Sequence, residues 1–187
     1  MTAVVIVGGG PAGLMAAQTL AEAGATVDLY DAMPSVGRKF LLAGKGGLNL
    51  THSEAFDAFA GRYRERREVL EPLLRDFGPE ALRAWAQGLG VDTFVGTSGR
   101  VFPKDLKAAP LLRAWLARLR QAGVRFHMRH RLVGLARDGE AGFALRFATQ
   151  QGESTVASAT VLLALGGASW PQLGSDGAWV VVLGGLG

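Results

Sequence analysis

Three glycines near the N-terminus carry the most specific chemical signal in the chain. Gly8, Gly10 and Gly13 make a GxGxxG pattern inside Val4-Val5-Ile6-Val7-Gly8-Gly9-Gly10-Pro11-Ala12-Gly13. Each glycine answers a separate requirement of a dinucleotide site. Gly8 allows a tight strand-to-helix turn, Gly10 lets backbone approach a pyrophosphate, and Gly13 lets helix and strand pack closely. A diphosphate placed there meets the free N–H groups and positive dipole end of the helix. Pro11 and Ala12 suit that helix's first turn, where proline's missing N–H costs nothing. Asp31 follows 18 residues after Gly13, at the end of a second apolar run. A carboxylate there can accept hydrogen bonds from ribose hydroxyls and would repel a 2′-phosphate. With Leu14 and the small residues Ala16 and Ala17 after the glycines, the loop resembles the FAD-type fingerprint, although Gly8 to Asp31 alone also permits an NAD-dependent dehydrogenase.

These residues need elements to hold them. Residues 3 to 7 read as a buried strand, a helix runs from Pro11 to about Ala23, and Thr26 to Tyr30 form a second strand. A long glycine-containing loop is expected from Met33 to Ser53. Helical stretches follow at Phe56 to Phe77 and Pro79 to Gly88, then a short hairpin from Thr93 to Phe102 around Thr97-Ser98-Gly99. Ala108 to Ala122 is an amphipathic helix with Leu112, Trp115, Leu116 and Leu119 on one face. Strand-like runs come next at Val124 to His127, Leu132 to Ala136, Phe143 to Thr149, Ser154 to Ala157 and Thr160 to Leu165, and Val180 to Leu183 reads as a further strand. The order predicts an α/β fold: a Rossmann-like domain with a parallel core sheet, a helical excursion and a small β-meander.

Four segments in sequence resemble the bacterial BaiN/YhiN-like flavoproteins, a family of NAD(P)/FAD-dependent oxidoreductases. They are the opening glycine motif, Gly37-Arg38-Lys39 with the following Asn49-Leu50-Thr51, Ser98-Gly99-Arg100-Val101-Phe102-Pro103, and Leu163-Ala164-Leu165-Gly166-Gly167-Ala168-Ser169-Trp170-Pro171. The resemblance implies an FAD-binding domain over residues 1–187, with Gly37, Arg38 and Lys39 near the phosphates or ribityl chain. Two cations beside a glycine would offset a diphosphate's charge. It further implies that Asn49 and Thr51 face flavin or substrate, though both serve equally well as loop-stabilising side chains. Gly166 and Gly167 would let backbone pass close to the cofactor, with Leu165 standing where relatives carry threonine. Relatives are about twice as long, with an inserted substrate domain and a final flavin-covering segment, so the chain is expected to be the N-terminal half. A reduced nicotinamide is implied only as a transient electron donor.

Composition narrows the remaining classes. The 187 residues include no cysteine, which excludes disulfides, thiolate metal sites and a cysteine nucleophile. Redox chemistry therefore has to come from a bound cofactor. His52, His127 and His130 lack metal-ligand spacing, so no metal site is expected. No residue stands out as a general acid or base. Trp85, Trp115, Trp170 and Trp179 read as core or cleft aromatics, and the last two flank the second glycine segment, where they could line a flavin pocket. The net charge of +4 comes from 16 arginines and four lysines against 16 acids. The run Arg62-Tyr63-Arg64-Glu65-Arg66-Arg67 leaves an RNA-associated module open as an alternative. Interleaved acids instead favour a solvated surface. The N-terminus lacks a signal peptide's basic start, and no apolar run of about 18 residues exists, so a cytoplasmic protein without a membrane span is expected. Apolar surface left uncovered in a shortened chain would drive self-association.

Overall fold

The computed structural model describes residues 3–139, 142–174 and 176–184. In chain order the elements are β1 (Val4–Val7), α1 (Pro11–Glu22), β2 (Val27–Asp31), α2 (Arg38–Ala43), β3 (Thr51–His52), α3 (Phe56–Gly61), α4 (Arg67–Asp76), α5 (Pro79–Gly88), β4 (Thr93–Val95), β5 (Arg100–Pro103), α6 (Ala108–Gln121), β6 (Arg125–Met128), β7 (Arg131–Arg137), β8 (Phe143–Thr149), β9 (Gly152–Ser158), β10 (Thr160–Leu163) and α7 (Trp179–Gly184). They divide into two compact units, Met1–Phe40 with Ala117–Gly187, and Leu41–Leu116.

The first unit is built on a parallel four-stranded sheet in the order β10-β1-β2-β6. Alternation along a strand sends successive side chains to opposite faces. On one face Val5 and Val7 join Tyr30 of β2 and Leu145 and Phe147 of β8, so the antiparallel meander β7-β8-β9 covers that side. On the other face Ile6 and Leu29 are fully buried, as are Leu14 and Ala17 of α1. Sheet, helix and meander thus form three layers, the arrangement a parallel sheet needs to bury both faces. The predicted parallel core with its meander is what the structure holds.

Asp28 is a polar intrusion into the meander-facing side of this sheet. Arg125 Nε and His127 Nε2 donate to its Oδ1 at 2.8 and 2.7 Å, and Arg125 Nη2 donates to Oδ2. Burial raises the carboxyl's pKa, but these hydrogen bonds and positive charges outweigh it, leaving Asp28 below the usual carboxylate value. A carboxyl lowered on folding adds stability that is complete above the unfolded pKa near 4 and is lost as pH falls through the folded value. Asp28→Asn should therefore cost about 1–2 kcal/mol at pH 7, a figure kept small because Arg125 is half exposed. Thermal melts of both proteins should converge as the pH falls through the lowered value of the folded Asp28 carboxyl.

The second unit carries the sheet β3-β5-β4, all antiparallel, with α3, α4 and α5. The turn Thr97-Ser98-Gly99 joins β4 to β5 as expected, with Gly99 at φ 79°. Trp85 and Trp115 meet edge to face at 4.8 Å within it, a core use of two tryptophans.

Three local expectations need correction. The Met33 to Ser53 segment holds α2, a 3-10 turn at Gly44–Gly46 and β3. Its glycines suggested loop, yet Arg38 to Ala43 is a run of good helix formers. The helical stretch expected over Phe56 to Phe77 divides into α3, a 3-10 turn at Arg64–Arg66 and α4. Arg64 sits at φ 49°, a left-handed conformation that no continuous α-helix passes through. Val180 to Leu183 is helical, in α7, because β-branched preference counts only beside a partner strand. Residues 185–187 lie outside the described residues.

Candidate functional site

A cleft of about 430 Å³ opens at the carboxyl ends of β1, β2 and β10, within the usual range for a small-molecule site. Open parallel sheets bind ligands at this position because the loops leaving the strands diverge there. Gly8, Gly9, Gly10, Pro11 and Ala12 line it, with Tyr30 and Asp31 from β2, Gly37 and the first residues of α2, Arg38 and Lys39, and Ala164, Leu165 and Gly166 after β10.

The glycine loop is shaped by two close approaches. Gly8 turns at φ 112°, and a Cβ there would strike the carbonyl oxygen of Ala164. A Cβ on Gly13 would strike the carbonyl oxygen of Gly8, so α1 rests directly on the end of β1. Gly10 differs: nothing lies within 4 Å of its Cβ position, and its backbone faces open space. Gly13 is the one motif residue that serves packing without lining the cleft.

Asp31 does more than its position at a strand end foretold. Its Oδ2 accepts the Gly9 N–H at 2.6 Å and its Oδ1 accepts the Met33 N–H at 2.7 Å. Burial pushes this carboxyl above its ordinary value, only partly offset by those two N–H groups. Each oxygen keeps a second lone pair for a ligand hydroxyl. The carboxylate therefore clamps the glycine loop as well as facing the cleft. Gly37 N–H donates to the Gly9 carbonyl at 2.8 Å, which ties the following loop to the same place and starts α2 beside it. Arg38 Nη1 reaches Ser35 Oγ at 3.4 Å, while Arg38 Nε is buried with no partner among the described residues.

The opposite wall was mostly missed by sequence reasoning. His130, Arg131 and Leu132 line the cleft, as do Leu173, Gly174, Asp176, Ala178, Trp179 and Leu183. His130 N–H donates to the Asp31 carbonyl at 2.9 Å, so the turn into β7 is fastened to the end of β2. Arg131 Nη1 donates to Asp176 Oδ2 at 2.8 Å. Trp179 lines the cleft as the sequence allowed, with its Nε1 buried and lacking a partner among the described residues. Trp170 is about half exposed and lies outside the lining. No motif spacing marks His130, Arg131 or Asp176, and only their tertiary neighbours bring them in. Gly167 falls just beyond the lining, while Asn49 and Thr51 belong to the second unit.

Two of the four arginines in the run Arg62 to Arg67 pair with nearby acids. Arg62 Nη2 donates to Glu54 at 2.8 Å, and Arg67 donates to both Glu71 and Asp57, at 2.8 and 2.9 Å. No helix among the described residues is long and apolar enough to cross a membrane.

The HI0933-like protein Rossmann domain matches residues 2–187. Carotenoid phi-ring synthase of Streptomyces griseus is 40% identical over 81 residues, covering 41% of this chain and 15% of that protein. Among solved structures, the open conformation of a flavocytochrome c3 fumarate reductase matches the whole chain with a TM-score of 0.74 and 18% identity, over 40% of its own length. The 3-ketosteroid-delta4-(5alpha)-dehydrogenase of Rhodococcus jostii RHA1 matches 89% of this chain with a TM-score of 0.62 and 17% identity, over 46% of its length. Thermovibrio ammonificans THI4 matches 88% with a TM-score of 0.55 and 21% identity, over 57% of its length. The chain spans well under two thirds of each of these proteins. At such identities the likeness establishes a shared fold, one that a fumarate reductase and a dehydrogenase both use.

Proposed function

The chain belongs to the HI0933-like protein Rossmann domain family, and from that membership and the cleft we propose that it binds FAD as the cofactor-holding part of an oxidoreductase. One observation carries the reading: Arg38 lines the same cleft as the open backbone of Gly10. A guanidinium beside bare backbone is a cradle that suits a diphosphate. Bound there, the flavin supplies hydride or electron transfer that this cysteine-free chain cannot perform itself.

The chain's own residues then divide the work of binding. Backbone N–H groups of Gly10 and Ala12 meet the diphosphate at the start of α1, and Arg38 and Lys39 offset its charge. Asp31 accepts the ribose hydroxyls while it holds Gly9 in place. Gly166 leaves backbone bare at the β10 end of the cleft, with Gly167 beside it, and Asn49 and Thr51 are assigned to the flavin or substrate side. A reduced nicotinamide is the proposed transient donor, and the cytoplasm the proposed location.

The test is titration of the purified chain with FAD, followed by flavin fluorescence and the visible spectrum, with NADH as competitor. Saturable binding that NADH does not displace is expected. Arg38→Gln should weaken it about tenfold, the worth of one charge-assisted hydrogen bond, and should flatten its salt dependence. A colourless chain with unchanged flavin fluorescence would refute the proposal. Preference for NADH over FAD would instead favour the dehydrogenase reading.

A further inference from the structure

We propose that the outer face of α4 is a self-docking surface, on which two copies of this chain pair through antiparallel α4 helices. None of the residues of α4 is buried. Its inner side is accounted for within the chain. Leu70 and Leu74 are partly buried there, and Arg67 donates to Glu71 Oε2 at 2.8 Å and to Asp57 at 2.9 Å. Arg75 donates to Glu71 Oε1 at 2.6 Å and lies over the Phe56 ring. The outer side is apolar where a solvated helix carries polar residues. Val69 is 67% exposed and Leu73 61%, with Pro72 exposed beside them and Phe77 just past the helix end at 43%. Positions three and four apart are neighbours on a helix surface, so Val69, Pro72 and Leu73 form one stripe.

The occupant is identified by the charges that close the stripe. Arg66 precedes Val69 by three positions and Asp76 follows Leu73 by three, so a cation stands at one end and an acid at the other. Neither side chain has an ion pair among the described residues. Turned antiparallel about a two-fold axis midway between Val69 and Leu73, the stripe is its own complement. Val69 then meets the second copy's Leu73, Arg66 meets the second copy's Asp76, and each contact occurs twice. A parallel pair would set Arg66 against Arg66 and Asp76 against Asp76, so charge selects the antiparallel arrangement. A helix of this length is about 15 Å long, and a pair of them buries less than the roughly 1,200 Å² of a standard interface. The dimer is therefore weak, with a Kd of about 100 μM.

The experiment is sedimentation equilibrium on the whole chain over about 5 to 500 μM, a range that brackets that Kd. A monomer–dimer equilibrium that shifts toward monomer with added salt is expected. Leu73→Glu alters an exposed site, so the fold should persist by circular dichroism while the dimer weakens at least about tenfold. Arg66→Glu and Asp76→Arg should each weaken it about tenfold, because each substitution sets like charges together at both ends of the pair. Mixed in equal amounts, these two variants should associate with each other about as tightly as the wild type does with itself. In that mixed pair a cation faces an acid at both ends once more.

A chain that stays monomeric to the top of that range would overturn the proposal and leave the stripe to a partner of another kind. So would a dimer indifferent to Leu73→Glu, which would have to form on another surface. A dimer lost with Leu73→Glu but untouched by the charge substitutions, or variants that fail to associate on mixing, would overturn the antiparallel register. No step of the test involves FAD, so its outcome is independent of the cofactor reading above.

Discussion

Valine at position 10 should abolish FAD binding and leave the fold standing. Gly10 has φ −79°, which any residue adopts, and a Cβ there meets nothing within 4 Å. The folded chain therefore has room for the side chain, and its stability should change by no more than about 1 kcal/mol. The ligand has no such room, since the added methyls stand where backbone must approach the diphosphate. A loss of about a hundredfold or more in affinity is expected. Flavin fluorescence titration and a thermal melt on the same sample measure the two halves of this prediction. Undiminished binding would mean that the diphosphate does not lie on this loop.

Valine at position 13 should do the reverse and destroy the fold before binding can be asked about. Its Cβ would overlap the Gly8 carbonyl oxygen and lie 3.3 Å from the Ala164 Cβ. Neither obstacle is a flexible side-chain end: one is strand-end backbone, and the other is fixed directly to it. Relief requires α1 to move off the sheet, which separates Leu14 and Ala17 from Ile6 and Leu29. The cost should exceed about 3 kcal/mol, the upper range for overpacking, or roughly a 10 °C fall in Tm for a chain of this length. A variant melting with the wild type would show that helix and strand are not in contact here. Two glycines of one motif thus fail in opposite ways, and a spacing pattern alone cannot tell them apart.

That contrast measures what the sequence discloses. Gly8, Gly10, Gly13 and Asp31 announce both the βαβ unit and one wall of the cleft, because each is forced by local backbone geometry within about 30 residues. The strands β1, β2 and β8 and the helices α1 and α5 were legible for the same reason, since their apolar periodicity is a local property. His130, Arg131 and Asp176 were illegible. They are ordinary polar residues whose place depends on the His130 to Asp31 hydrogen bond and on an ion pair across 45 positions. The second role of Asp31 was hidden too, because a carboxylate that clamps its own glycine loop looks in sequence like one awaiting a sugar. Val180 to Leu183 misled in the other direction: strand preference is read from the residue, whereas strand formation needs a neighbour.

The order in which the chain leaves the ribosome bears on how this protein assembles. β1 sits in the middle of its sheet, yet Val4 pairs with Val27 on one side and with Thr160 on the other. At translation rates of 5–20 residues per second, the strand that covers its second edge arrives roughly seven to twenty-seven seconds after the first. All strand partners of the Leu41–Leu116 unit, by contrast, lie within that unit and emerge together. The apolar run Val4 to Val7 must therefore wait, half-paired and adhesive, while most of the chain is made. Holding that edge apart from other nascent chains is work for a chaperone, and the cost of its absence would appear as aggregation in the cell well before any defect in the finished fold.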